Sequence, residues 1–140
     1  MPTDPPLVRA PRRYFTPAEA AELLPVVREH VARLVGSLHR AQELADVLER
    51  SATGREVTMG EIESLKRTVQ GVMAAIEGHG VELKGVQPAL LDFPASRNGQ
   101  DVYLCWREGE DAIAWWHPMH TGVAGRQALD GDVASWAWFS

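Results

Sequence analysis

Residues 89–117 read ALLDFPASRNGQDVYLCWREGEDAIAWWH, and two glycine-bearing bends within them set the sheet. Asn98-Gly99 is a strong two-residue hairpin signal, because both central residues of a type I′ turn need positive φ. Gly109-Glu110 reads as a second hairpin, with Gly at the first central position of a type II′ turn. Together they predict a three-stranded meander over about 89–95, 101–107 and 112–117.

Bends fix register, and register fixes faces. Counting back from Asn98-Gly99, Asp92 lies opposite Cys105 and Phe93 opposite Leu104. Counting back from Gly109-Glu110, Cys105 lies opposite Ala114 and Tyr103 opposite Trp116. One face then carries Leu91, Phe93, Val102, Leu104, Trp106, Ile113, Trp115 and, at its end, His117. It is almost wholly apolar and needs a cover. The other face carries Leu90, Asp92, Pro94, Tyr103, Cys105, Arg107, Ala112, Ala114 and Trp116. Its mixture of aromatics, thiol, carboxylate and guanidinium suits a shallow ligand site or a covered surface.

The cover for the apolar face lies upstream. Thr16-Pro17-Ala18-Glu19 makes a capping box with Pro at the first helical position. Leu23, Val27, Val31, Leu34, Leu38, Ala41, Leu44, Val47 and Leu48 then recur at helical spacing to about Arg50. At 1.5 Å per residue such a helix is roughly 50 Å long. Pro25 lies inside it and is expected to kink it, and Gly36 weakens it locally. Residues 51–57 form a polar connector. Thr58 and Glu61 suggest a second capping box, with Val57 and Ile62 as its staple. Ile62, Leu65, Val69, Val72, Met73 and Ile76 form one stripe, which Gly78 and Gly80 end. Val81-Glu82-Leu83-Lys84 alternates like a short strand.

The expected fold is therefore α+β: a long antiparallel helical hairpin, kinked near Pro25, packed on a three-stranded antiparallel β meander. Residues 1–13 read as a disordered or extended arm, 14–129 as one domain, and 130–140 as a Trp-rich tail on the sheet or a partner. The first helix outreaches the second, and that surplus stripe invites dimerisation.

The bulk composition narrows the function classes. Apolar residues make up 45% of the chain, enough for one core, and the formal net charge is -5. That balance argues against nucleic acid as the main partner, since duplex binding needs clustered cations. Arg9, Arg12 and Arg13 read as a solvated arm. Cys105 is the single cysteine, so no intrachain disulfide forms, which fits a reducing compartment. With no secretory h-region and no apolar stretch near the ~20 residues of a membrane span, a cytoplasmic protein is expected.

These motifs resemble a bacterial family catalogued as domain of unknown function 2203. The resemblance rests on Phe15-Thr16, Glu19-Ala20, Leu23-Leu24-Pro25, Asp92-Phe93-Pro94, Val102-Tyr103-Leu104-Cys105-Trp106, Gly109-Glu110, Trp116-His117 and the closing Gly122, Gly125, Arg126 and Gln127. It covers roughly residues 14–129 and implies no activity. His120, preceded by Pro118, departs from the family's pattern, which has an acidic residue there.

Four constellations carry possible chemistry. His117 and His120 have a spacing that can hold zinc or iron, with Asp92 or Cys105 as further ligands. The register puts His117 on the opposite face from those two, although a strand end can reach over. Cys105 as a nucleophile is disfavoured, because Asp92 beside it raises the thiol pKa. Gly122, Gly125 and Arg126 form a glycine-rich turn that can cradle an anion or serve as a plain turn with Arg126 paired to Asp92, Glu110 or a helix carboxylate. Of the five tryptophans, Trp116, Trp136 and Trp138 are the hardest to bury in a small domain, and aromatics at a surface often mark an interface.

The expectation is a non-enzymatic module that forms a homodimer through its helices and presents the mixed face to a protein or small ligand. The ligand-binding candidates are Asp92, Tyr103, Cys105, Trp116 and Arg126. The alternative is a metal-binding protein or small-molecule enzyme around Asp92, Cys105, His117, His120 and Arg126, with a divalent metal at His117 and His120.

Overall fold

The computed structural model describes residues 13–129. The expected arm, Arg13 apart, and the Trp-rich tail lie outside the described residues. Among the described residues, two α-helices precede a five-stranded antiparallel sheet in the order β1-β2-β3-β4-β5.

Helix α1 (Pro17–Arg50) starts as its sequence dictates. The Glu19 N–H donates to Thr16 Oγ1 at 3.1 Å and the Thr16 N–H donates to Glu19 Oε1 at 2.9 Å, a closed capping box. The helix continues through Pro25 without ending. Helix α2 (Arg55–Gly78) starts earlier than the second capping box suggests. Gly54, in the left-handed region at φ 70, is its N-cap, and the Thr58 N–H already donates to the Gly54 carbonyl. Thr58 and Glu61 therefore lie inside the helix, and Val57 is exposed rather than stapled. No described helix is long and apolar enough to cross a membrane.

The sheet comprises β1 (Glu82–Val86), β2 (Ala89–Arg97), β3 (Gln100–Arg107), β4 (Trp115–Pro118) and β5 (Gln127–Ala128). Two edge strands thus join the expected meander. The Asn98-Gly99 turn, with φ 50 and 85, gives the expected pairs Asp92 with Cys105 and Phe93 with Leu104.

The next connection differs. The Glu110 N–H donates to the Arg107 carbonyl, so the tight turn spans residues 107–110 and Gly109 (φ 101) is its third residue. The chain then runs through residues 111–114 before pairing resumes at Trp115. Cys105 pairs with Trp115 and Tyr103 with His117, one residue from the expected register. A one-residue slip moves every side chain of a strand to the other face. Trp116 goes into the core, and Trp115 and His117 go to the mixed face. Ile113, Ala112 and Ala114 leave the sheet for the loop.

The core is the union of the two apolar surfaces. Phe15, Ala20, Leu24, Val27, Val31 and Leu34 meet Val72 and Ile76 of α2 and Leu91, Phe93, Leu104, Trp106 and Trp116 of the sheet. Phe15 meets Phe93 edge-on at 5.3 Å between ring centroids, and its N–H donates to the Pro94 carbonyl at 2.7 Å. Ala20, Leu24 and Val27, in the early turns of α1, are buried in this core.

Candidate metal centre

Alternation along the strands places Asp92, Tyr103, Cys105 and His117 on the sheet face away from this core. Such a face is normally wet, yet Asp92, Cys105 and His117 are at most 4% exposed. Their cover comes from β1 and from the turn after β4. The β1–β2 register shifts between Leu83 and Gly85, so Lys84 is the extra residue of a bulge. Gly85 has no side chain, and Leu90 lies in van der Waals reach of where its Cβ would be. Lys84, Leu90, Gly122 and Val123 close over the three buried groups around a cavity of about 240 Å³.

A nitrogen of His117, an oxygen of Asp92 and the sulfur of Cys105 all lie within 4.8 Å of one another. His117 Nδ1 is 2.8 Å from the Pro118 carbonyl oxygen. A carbonyl only accepts, so Nδ1 carries the proton and donates. That leaves Nε2, 3.1 Å from Asp92 Oδ1. At that distance a proton lies between Nε2 and the carboxylate, or the two share a cation. A backbone carbonyl fixing Nδ1–H is the outer contact that orients a metal-binding imidazole. A tetrahedral zinc with bonds of about 2.0 Å spaces its N and O ligands about 3.3 Å apart, close to the separation here.

Burial pushes the Cys105 thiol up to about 11; the Asp92 carboxylate adds to this, and Arg126 opposes it. At neutral pH the group is a thiol, which weakens it as a free nucleophile. A metal ion must displace that proton to bind the sulfur.

The surrounding groups are fixed by their own partners. Lys84 Nζ lies 3.5 Å from Asp92 Oδ2, 3.4 Å from Glu82 Oε1 and 4.2 Å from the Tyr103 ring centre. Burial pulls its pKa down, but Asp92, Tyr103 and Glu82 outweigh burial and hold it above the ordinary value. The Tyr103 hydroxyl donates to Glu82 Oε1 at 2.8 Å, and its ring sits 5.4 Å from that of His117. Arg126 Nη2 donates to Glu110 Oε1 at 2.7 Å and lies over Trp115. Burial alone would raise the Glu110 carboxyl; hydrogen bonds from Arg126 and the Arg107 N–H outweigh it and hold it low.

The structure therefore brings together Asp92, Cys105, Tyr103 and His117, with Arg126 beside the thiol. Two candidates fall away. Trp116 faces the core because of the register slip, and the Arg97 guanidinium lies 4.8 Å from its ring. His120 is exposed in the turn after β4 and stands outside the ligand cluster. The cluster thus draws on His117 without His120. Lys84 and Glu82 escaped the sequence reading. Their alternation with Leu83 was the available signal: pairing this strand against β2 sets Glu82 opposite Asp92.

Neither the curated proteins nor the solved structures contain a match to this chain. A family model does match, over residues 13–129, and its description is "Uncharacterized conserved protein (DUF2203)". With most of its length covered by that match, the chain belongs to the DUF2203 family.

Proposed function

We propose that the protein binds a divalent transition metal, zinc in the first instance, through Asp92, Cys105 and His117. The observation that carries this reading is the convergence of three buried donors of different type, with the His117 Nδ1 proton committed to a backbone carbonyl. Nitrogen, sulfur and oxygen donors in one set suit zinc. Three protein ligands leave a fourth position, the hallmark of a catalytic rather than a structural zinc site. The three donors line the cavity of about 240 Å³, which would give that position room.

The test is zinc uptake by chain purified without a polyhistidine tag and stripped with a chelator. One equivalent per chain is expected, with a rise in Tm. At zinc 100-fold above Kd the gain is about 2.7 kcal/mol, or on the order of 10 °C for a domain of this size. His117→Gln and Cys105→Ala should abolish both effects. Uptake well below one equivalent, or equal uptake by the variants, refutes the reading.

A second reading, self-association, has its own support. The core reaches Leu38 and Val69, whereas the hairpin continues to Arg50 and Arg55. Along that projecting part Val57 is 73% exposed, and Met59 and Val47 are also exposed. Paired hairpins would cover these side chains as a four-helix bundle. Sedimentation should give a dimer that Val57→Ser with Met59→Ser weakens; a monomer at every concentration refutes it.

A further inference from the structure

We propose that the fourth metal position takes a short-chain carboxylate, bridged between the metal and the Lys84 ammonium; the proposal rests on the metal reading above. Besides the three ligands, the cavity is lined by Lys84, Leu90, Gly122 and Val123. A dication's charge is matched by the Asp92 carboxylate and the Cys105 thiolate. Lys84 then supplies the remaining charge in the lining, and it is positive. Glu82, behind it, is shared between the Tyr103 hydroxyl and the ammonium and stands outside the lining.

The Lys84 ammonium is held in position. It lies over the Tyr103 ring at 4.2 Å and beside Glu82, so it does not have to be ordered when a ligand arrives. Its contact with Asp92 Oδ2 is 3.5 Å, and Asp92 drawn to a metal competes less for it. A carboxylate has two oxygens, one for the metal and one for the ammonium. The rest of the lining sets the body of the ligand. Leu90 and Val123 are apolar, which favours a short hydrocarbon tail over further charge. At about 30 Å³ per water, a cavity of about 240 Å³ takes a few heavy atoms beyond the carboxylate.

Cobalt-loaded protein tests this directly. Thiolate-to-cobalt charge transfer in the near ultraviolet reports the metal on Cys105, and the visible bands report the fourth ligand. Titration with acetate and with butyrate should shift the visible bands saturably, butyrate at several-fold lower concentration. Lys84→Gln should weaken both by roughly tenfold or more, the worth of one charge-assisted contact, with the charge-transfer band intact. Lys84→Arg should largely retain binding and controls for folding. Inorganic phosphate should be the weaker probe. The proposal is overturned if the charge-transfer band forms but neither carboxylate moves the visible bands. It is equally overturned if Lys84→Gln binds them as wild type does, or if phosphate outcompetes both. Absence of the charge-transfer band removes the metal centre itself, a failure distinct from these.

Discussion

Cys105 keeps its proton to unusually high pH in the metal-free chain. The thiol's ordinary value of 9.0 rises to about 11 because burial and the nearby Asp92 disfavour the thiolate. A group whose folded pKa lies above its unfolded one binds its proton more tightly when folded. Its contribution is therefore complete below pH 9 and is lost as pH rises towards 11. Two units amount to about 2–3 kcal/mol. The difference in unfolding free energy between wild type and Cys105→Ala, in chelator, should shrink by an amount of that order between pH 8.5 and 11. A pH-independent difference would mean that the thiol is not held as described. Bound metal inverts the logic: the thiolate becomes a ligand, and affinity should rise with pH. His117 was a candidate by its type and spacing, but no local pattern set it beside Asp92 and Cys105 rather than His120, because adjacency in sequence is not convergence in space.

The strands carry a lesson in which turns can be read. Asn98-Gly99 spans two residues, both with positive φ, and such a turn leaves the β2–β3 register no freedom. Gly109 also has positive φ, but it is the third residue of a tight turn to which residues 111–114 are then added. The Trp106 indole N–H and the Arg107 N–H both donate to Glu110, its carbonyl and its carboxylate respectively, and so fold that longer loop back. No local pattern announces those contacts. The consequence is large, since an odd shift decides whether Trp116 or His117 faces the helices. Trp116→Ala should therefore cost about 3–5 kcal/mol, as a core truncation does. Trp115→Ala, on the half-buried face, should cost clearly less. Equal losses in chemical denaturation would place both rings alike and contradict the register. At the helix start, Thr16→Ala removes a formed cap and should cost about 1 kcal/mol. Thr58→Ala, inside α2, should cost far less. The α2 start was illegible because Gly54 caps it through backbone conformation, with no side-chain hydrogen bond.

At the scale of the molecule, the helices and the sheet divide the work. The hairpin covers one face of the sheet. The opposite face is freed to hold polar groups, which β1 and the turn at Gly122 and Val123 bury in turn. Fold class and the α1 boundary were legible because capping and periodicity are local. The site was legible in its residue types alone, since it draws on β2, β3, β4 and a bulge in β1 and needs every register correct at once. X-ray absorption at the zinc edge of the loaded protein tests the proposed metal centre most directly. It should show one sulfur at about 2.3 Å and two or three nitrogen or oxygen neighbours at about 2.0–2.1 Å, with the sulfur lost in Cys105→Ser. A first shell of nitrogen and oxygen alone in the wild type would contradict it.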